Sequence, residues 1–162
     1  MGAVLRVSDG VRTITHDLER FRANTNNMKP ALERVAQVQA DAVRDQFRTQ
    51  GRHYGTRWAA LSPAYKSQKT RARPGRPILL YNGKLKKHAA PVLARNAGIY
   101  QVTGKRMEIG VAYSQVPYAQ FHQEGTATMP ARPILGAPTR VDQKAMVKEI
   151  HRWIVNGLEV LR

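Results

Sequence analysis

Residues 46–107 contain no aspartate or glutamate. This carboxylate-free segment spans 62 residues and holds 14 of the 27 lysines and arginines, whereas the rest of the chain has 13 basic and 11 acidic side chains. A segment of one charge sign repels itself unless solvent or an opposite charge screens it, so it has to face water or an anion. The pattern predicts a surface for nucleic acid or an acidic protein, although a solvated basic loop would have the same composition.

Length and composition predict one soluble domain over residues 1–162. The absence of cysteine excludes disulfides, thiolate metal sites and cysteine catalysis, and it suits assembly in a reducing cytoplasm. No apolar run approaches the ~20 residues of a membrane helix, and the first residues lack a signal-peptide pattern. We therefore expect no membrane contact and no secretion.

The first helix is predicted at residues 11–22, where apolar side chains recur at i, i+4 and i+7. A short strand at residues 3–7 and a turn at residues 8–10 should precede it. Residues 24–27, which are Asn-Thr-Asn-Asn, should break this helix and supply capping oxygens to the next.

A second helix should begin near Pro30, because proline is tolerated in a first turn where its missing N–H has no partner. It should end at residues 50–51, which are Gln-Gly. Its predicted apolar stripe consists of Leu32, Ala36, Ala40, Val43 and Phe47.

The C-terminal part predicts a hairpin and a last helix. Residues 99–111 alternate apolar and polar side chains around a turn at Gly104, which is typical of an antiparallel pair. Thr139 and Asp142 have the spacing of a capping box that would begin a helix over residues 139–161. The stripe of that helix consists of Val147, Ile150, Ile154, Leu158 and Leu161, with Gly157 weakening its end. This order predicts an α+β fold, a small antiparallel sheet packed by two or three helices.

Residues 51–77 are rich in glycine, proline and arginine without apolar periodicity, and they predict an extended basic loop or arm. Ser62 and Pro63 could begin a short helix within it. Trp58 could anchor this arm in a partner's pocket or pack on its own core, and the sequence does not separate the two.

Motifs for catalysis and metal binding are missing. The five histidines lack ligand spacing, no serine lies in Gly-x-Ser-x-Gly, and Gly83-Lys84 lacks the upstream glycine of a phosphate loop. Metal-dependent nucleases need clustered carboxylates, which the carboxylate-free segment cannot offer. The sequence therefore predicts no enzyme, no cofactor and no metal site.

Three ordered motifs resemble those of the phage virion-morphogenesis family, the tail-completion proteins of Mu-like and P2-like bacteriophages. Residues 55–62 (GTRWAALS) are similar to the family's Gly-x-x-Trp-x-x-Leu-Ser. Ile78-Leu79 followed by Gly83-Lys84-Leu85 is like its Ile-Leu…Gly-Arg-Leu, with lysine in place of the commoner arginine. Residues 118–125 (YAQFHQEG) and 129–136 (MPARPILG) look like Tyr-Ala-x-x-His-x-x-Gly and Pro-Ala-Arg-Pro-Phe-Leu-Gly. The resemblance covers residues 30–155 and leaves the N-terminal residues unmatched.

The resemblance implies a structural virion protein at the head–tail junction, acting in tail completion, tail termination or head–tail joining. It implies no catalytic residue. Proteins of the neck commonly form rings, often of six subunits, so the expected partners are copies of the chain, other neck, connector or tail-tube proteins and, transiently, genomic DNA. The implied location is the virion, after assembly in the cytoplasm of a bacterial host. A sequence-nonspecific nucleic-acid-binding module is the alternative.

Three groups of residues are candidates for these roles. Those expected to bind neighbouring subunits are Arg57, Trp58, Leu61, Tyr65, Arg71, Arg73 and Arg76. Those expected to touch DNA or an acidic partner are Lys66, Lys69, Lys84, Lys86 and Lys87. Those expected to support the fold are Gly83, Leu85, Tyr118, His122, Gly125, Pro130, Arg132 and Pro133.

Arg132 has the most specific prediction among these residues. Pro130 and Pro133 should stiffen an extended passage between the sheet and the last helix. Arg132 should bind a carboxylate or backbone carbonyls in bidentate fashion and so lock residues 122–125 against the passage. Tyr118, Phe121 and Ile134 are predicted core residues.

Overall fold

This computed structural model describes residues 8–93 and 97–155, with side chains described over residues 14–92 and 97–155. Six α-helices, two 3-10 turns and one hairpin are described. The helices are α1 (Ser8–Asn26), α2 (Lys29–Arg48), α3 (Pro63–Ala72), α4 (Lys84–Ala89), α5 (Tyr118–Glu124) and α6 (Arg140–Val155). The 3-10 turns are Arg52–Tyr54 and Pro91–Leu93, and the strands are β1 (Ile99–Val102) and β2 (Met107–Gly110).

Helix α1 confirms the first predicted helix and extends it at both ends. The predicted turn at residues 8–10 is wrong, because those residues form the first turn of α1. Serine and aspartate favour helix starts as well as turns, so the composition was ambiguous. The predicted strand at residues 3–7 lies outside the described residues.

Helix α2 is the centre of the core. It begins at Lys29 with Pro30 in its first turn, as predicted, and four of the five stripe residues are buried while Leu32 is half-buried. The predicted break is shorter than expected, since α1 continues to Asn26. The predicted capping is wrong, because the N-cap residue of α2 is Met28 and no side chain caps the helix. Asn27 Oδ1 instead accepts a hydrogen bond from the Lys29 backbone N–H at 3.2 Å, which is an Asx turn before the helix.

The hairpin has the predicted place and the α+β class is confirmed. β1 and β2 pair antiparallel in a register that sets Ile99 opposite Gly110 and Val102 opposite Met107. The two strands contact α2, as do α4 and α6. The small sheet is therefore one wall around a mainly helical core.

The core joins residues that are distant in the sequence. Its larger members come from α2, the loop after it, α4 and the passage before α6: Phe47, Trp58, Leu85, Val116 and Ile134. Burial of Ile134 is as predicted, whereas Tyr118 and Phe121 are 40% and 52% exposed, so their predicted core positions are wrong. Helix α5 is only seven residues long and buries just Ala119, so both aromatic rings extend outward.

The predicted capping box begins α6. Thr139 N–H donates to Asp142 Oδ2 at 2.9 Å and Asp142 N–H donates to Thr139 Oγ1 at 3.2 Å. Trp153 Nε1–H donates to the carbonyls of Asn24 and Asn27, each at 3.1 Å, which attaches α6 to the end of α1.

The apolar stripe predicted for the last helix is confirmed in part. Ile150 and Ile154 are half-buried, but Val147 is exposed and does not belong to the buried stripe. Gly157, Leu158 and Leu161 lie outside the described residues.

Candidate docking surface

The first half of the predicted arm, residues 51–61, is fixed to the core by buried contacts. Trp58 is 4% exposed and packs edge-on against Phe47 with ring centroids 5.4 Å apart. Its indole N–H donates to the Pro133 carbonyl at 2.8 Å, and its backbone N–H donates to the Gln50 carbonyl at 2.7 Å. Trp58 is therefore a core residue, and the prediction that it anchors in a partner is corrected.

Arg132 holds the same half from the other side. Its Nε and Nη2 each donate at 2.9 Å, to the carbonyl oxygens of Ala59 and Ala60 respectively. This is the predicted bidentate grip on backbone carbonyls, but the segment that the side chain locks is 59–60 and not 122–125. Burial lowers the pKa of Arg132, and proximity to Tyr65 opposes that shift.

The passage after α5 is held by backbone contacts. The Arg132 backbone N–H donates to the His122 carbonyl at 2.6 Å. Gln123 Oε1 accepts from the N–H groups of Ile134 and Leu135 at 2.9 and 3.0 Å. Gly125 has φ of 79°, and a Cβ there would lie 2.8 Å from the Ala131 backbone nitrogen, so only glycine fits this close approach. These contacts, and not the Arg132 side chain, hold residues 122–125 against the passage.

The second half of the predicted arm is a helix. Ser62 Oγ accepts from the Tyr65 N–H at 3.4 Å, Pro63 occupies the first turn, and α3 continues to Ala72. Since α3 spans ten residues, the expectation of an extended loop over 51–77 is wrong here. Apart from one lysine, the side chains of α3 are exposed.

Lys69 is that lysine, and its burial removes it from the predicted contacts with DNA or an acidic partner. It is 5% exposed, and its ammonium donates to the Pro77 carbonyl. Burial lowers its pKa. The Lys69 ammonium group thus binds the loop after α3 through the Pro77 carbonyl and does not face solvent.

Most cations of the carboxylate-free segment have no ion pair with any described side chain. Arg48 pairs with Asp45 and Arg106 pairs with Glu108, both at the ends of the segment. The unpaired cations, which we call the free cation set, are Arg52, Arg57, Lys66, Arg71, Arg73, Arg76, Lys84, Lys86, Lys87 and Lys105. All are exposed except Lys86, which is half-buried.

Most carboxylates among the described side chains are engaged away from the free cation set. Six of the described acidic side chains pair with a cation or a histidine that does not belong to the free cation set. They are Glu33, Asp41, Asp45, Glu108, Asp142 and Glu149. Asp17 is buried near His16. Among the described side chains, Glu19 and Glu124 remain without an ion pair, so the fold does not neutralise the free cation set internally.

A cleft of about 820 Å³ opens between α3 and α5, beside the free cation set. Tyrosines and aliphatic side chains dominate its lining, and no carboxylate contributes to it. The lining includes Leu61, Tyr65, Leu79, Tyr81, Leu85, Tyr118, His122, Met129, Pro130 and Arg132. Arg73 lies over the Tyr81 ring with its guanidinium carbon 5.2 Å from the centroid, which places one free cation at the edge.

His122 brings an unsatisfied polar atom to this cleft. Its Nδ1 is buried and has no hydrogen-bond partner among the described residues. Burial and the nearby Arg132 charge lower the pKa of His122, so the neutral imidazole is favoured. A buried polar atom without a partner is uncommon, but this nitrogen has almost no contact with solvent, so a ligand would reach it only if the His122 side chain moved.

The structure gathers residues that the sequence had assigned to different roles. Seven predicted residues line the cleft together with the corrected Lys69: Leu61, Tyr65, Leu85, Tyr118, His122, Pro130 and Arg132. Outside its lining lie Arg57, Trp58, Arg71, Arg73, Arg76, Gly83, Gly125, Pro133, Lys66, Lys84, Lys86 and Lys87. Sequence reasoning missed Leu79, Tyr81 and Met129, although Leu79 and Met129 fall within the quoted motifs.

The described residues contain no cluster of three or more histidines, aspartates or glutamates that could hold a metal ion. In the same part of the chain, no helix has both the length and the apolar character needed to cross a bilayer.

Comparison with known proteins gives one match. No curated protein and no solved structure is similar enough to the chain to count as a match. The model of the phage virion morphogenesis family matches residues 9–155, so the match covers most of α1 and corrects the expectation that the residues before 30 are unmatched. With this match covering most of its length, the chain belongs to the phage virion morphogenesis family.

Proposed function

We propose that the protein is a structural subunit of the head–tail junction, acting in tail completion, tail termination or head–tail joining. The observation that carries the proposal is the family match over residues 9–155. The free cation set and the apolar cleft support it, because both are features of contact surfaces. On this proposal the protein catalyses no reaction. It functions in the virion after assembly in the host cytoplasm.

The proposed assembly is a ring of identical subunits, six in the simplest case. A ring needs two different, complementary patches on each subunit. The rotation that relates one subunit to the next also has to bring the last subunit back to the first. Helix α1 supports one patch, since Ile14, Leu18 and Phe21 form an i, i+4, i+7 stripe that is exposed in the single chain. Burial of that stripe against a neighbouring copy would stabilise the ring.

The free cation set is proposed to meet acidic surfaces of neck, connector or tail-tube proteins. Genomic DNA passing through a ring would bind the same cations only weakly, because physiological salt screens the interaction between exposed charges beyond about 8 Å. Tight binding to DNA would hinder passage of the genome.

Deletion of the gene tests this function directly. We expect the deletion to yield heads and tails that do not form joined, infectious particles, as counted by electron microscopy and plaque assay. Complementation with the wild-type gene is the control. Normal virions from the deletion would exclude the proposal.

The free cation set also favours a second candidate, a sequence-nonspecific nucleic-acid-binding module. Its signature is a logarithmic affinity for duplex DNA that falls linearly with the logarithm of salt concentration. Titration of the full chain with a labelled random duplex at several salt concentrations measures this slope. Absence of binding at low salt would exclude the module.

A further inference from the structure

We propose that the cleft between α3 and α5 binds a segment of a different virion protein that combines apolar side chains with flanking carboxylates. This inference rests on the proposed function, because it names the kind of partner that the contact surface receives. The cleft of about 820 Å³ lies within the size range of ligand pockets.

The lining explains the apolar part of the partner. Tyr65, Tyr81 and Tyr118 are each between 40% and 46% exposed and surround aliphatic residues such as Leu61 and Leu79. Tyrosines in such positions contribute much of the binding free energy at protein interfaces, because they bury large areas with few rotatable bonds. An apolar side chain that enters the cleft would cover rings that solvent now reaches.

The charges explain the acidic part. The two cations in the lining, Lys69 and Arg132, already donate to backbone carbonyls and are not available to a ligand. One free cation contacts the lining, because Arg73 covers the Tyr81 ring. Lys66 follows Tyr65 and Lys84 precedes Leu85 in the chain, so we expect these two cations near the edge as well. An apolar centre with cations at its edge is complementary to an apolar residue between carboxylates.

A second copy of this chain offers that chemistry only in part, because Leu18 of α1 lies between Asp17 and Glu19 but Asp17 is buried. Among the described carboxylates, only Glu19 and Glu124 are without an ion pair, and the stripe of α1 carries Arg20 and Arg22 beside Glu19. Occupation by a neighbouring copy would leave most of the free cation set without counter-charges. Charge complementarity thus favours a heterologous, acidic partner.

Nucleic acid fits less well for a geometric reason. Proteins that bind single strands combine stacking aromatics with cations that follow the phosphate backbone along the groove. Here the cations are at the edge of the cleft, and those inside it are held by carbonyls.

Selection from a random 12-residue peptide library on the full chain tests the chemistry. We expect peptides enriched in aspartate or glutamate around leucine, tryptophan or phenylalanine. Enrichment that is equal on the Leu61→Asp variant, or peptides without carboxylates, would overturn the proposal. Circular dichroism of the variant checks that it is folded.

The best enriched peptide, made synthetically with a fluorophore, then serves as the probe in anisotropy titrations. Tyr65→Ala and Tyr118→Ala should each weaken binding about tenfold. Tyr113→Ala is the matched control, because Tyr113 is 45% exposed but lies outside the cleft lining, and it should change affinity less than twofold. Equal effects of all three changes would contradict the site.

Charge reversal tests the edge of the cleft separately. The double variant Lys66→Glu/Lys84→Glu should weaken the same peptide about tenfold or more and flatten its salt dependence. Lys105→Glu, on the hairpin turn of the same carboxylate-free segment, is the control that should leave binding nearly unchanged. Equal weakening by Lys105→Glu would show that the peptide responds only to the net charge of the protein at long range. That result would overturn the proposed contacts at the edge of the cleft.

Two competitors decide between occupants. The full chain with Tyr65→Ala and Tyr118→Ala, which keeps α1 but lacks two rings of its own cleft, is the first competitor. If it displaces the probe from the wild-type chain at lower concentration than the selected acidic peptide does, a neighbouring copy occupies the cleft. If a dodecamer of deoxythymidine displaced the probe at lower concentration than the selected acidic peptide, the occupant of the cleft would be single-stranded nucleic acid. Either result overturns the inference.

Complementation separates failure of this inference from failure of the proposed function. If the deletion stops particle joining but the gene with Tyr65→Ala and Tyr118→Ala restores it fully, the junction role stands and the cleft proposal falls. If the deletion itself gives normal particles, the junction role falls. We expect the double variant to restore joined particles poorly and Tyr113→Ala to restore them fully.

Discussion

The two halves of residues 51–77 are both basic and free of carboxylates, but they have opposite structural roles. Residues 51–61 are tied to the core through Trp58 and through the Arg132 grip on the Ala59 and Ala60 carbonyls. Residues 62–77 form α3 and its following turn, which expose almost every side chain and bury only Lys69. The first half is the support of the docking surface, and the second half is the surface itself.

This difference shows that basic composition alone does not identify the contact residues. One aromatic ring and one arginine tie the first half to the core, whereas the second half lacks an apolar stripe and leaves its exposed cations without ion pairs. Substitutions in the first half should therefore reduce stability, and equivalent substitutions in the second half should leave it unchanged.

The largest expected effect is from Trp58→Ala. Loss of the buried ring and of its hydrogen bond to the Pro133 carbonyl should lower the free energy of unfolding by about 4 kcal/mol. Tyr65→Ala on α3 should change it by less than about 0.5 kcal/mol. Urea denaturation followed by circular dichroism measures both, and a small effect of Trp58→Ala would show that the tryptophan is not part of the core.

Gly51→Ala should have the next largest effect. Gly51 has φ of 103°, and a Cβ there would lie 2.6 Å from the Trp58 backbone nitrogen. The combined strain and clash should lower the free energy of unfolding by about 3 kcal/mol. Gly75→Ala is the control, since Gly75 also has positive φ but nothing lies within 4 Å of its Cβ position, so about 1 kcal/mol is expected. Equal losses would contradict the close approach at Gly51.

Arg132→Lys tests the bidentate contact. A lysine keeps the charge but cannot donate to the carbonyls of Ala59 and Ala60 together, so we expect a loss of about 2 kcal/mol. Arg71→Lys, on the exposed face of α3, should cost less than about 0.5 kcal/mol. Thermal unfolding of the two variants at one pH gives the comparison, and identical midpoints would refute the grip.

Asp142→Asn should give the smallest effect and a dependence on pH. Burial raises the pKa of Asp142, but hydrogen bonds from Thr139 and the contact with His53, at 2.9 Å, outweigh it and leave that pKa below its ordinary value. A depressed carboxyl pKa contributes stability above the unfolded-state pKa, and that stability is lost as pH falls through the folded-state pKa. The variant should therefore be less stable than wild type by about 1 kcal/mol at pH 7, with the difference shrinking in acid.

Urea denaturation of Asp142→Asn between pH 7 and pH 3 measures that difference. Asp41→Asn on the exposed face of α2 is the control and should change stability little at any of these pH values. If the difference in free energy of unfolding between Asp142→Asn and wild type stayed constant with pH, the lowered pKa assigned to Asp142 would be contradicted.

Local sequence signals predicted much of the fold. The stripe of α2, the alternation of the hairpin and the Thr139–Asp142 spacing are local patterns, and each produced the expected element. Helix α3 was underestimated because it has no buried stripe, so only its Ser62 cap and Pro63 marked where it begins. The exposure of Tyr118 and Phe121 could not be read from spacing, because a seven-residue helix can bury one small face and leave its aromatics outside.

The candidate site was predictable only in pieces. The sequence predicted that Arg132 would bind a carboxylate or backbone carbonyls, but its actual partners lie 72 and 73 residues away in the chain, and that separation carries no local signal. For the same reason the sequence could not show that Tyr81 and Met129 face one cleft, nor that Lys69 is buried. These facts depend on tertiary packing.

A cryo-electron microscopy reconstruction of the assembled particle tests the central claim most directly. We expect a ring of this chain at the head–tail junction, with α3 and the cleft against an acidic segment of a different protein. Absence of the chain from assembled particles and from tails, or a ring whose cleft faces empty solvent, would contradict the account.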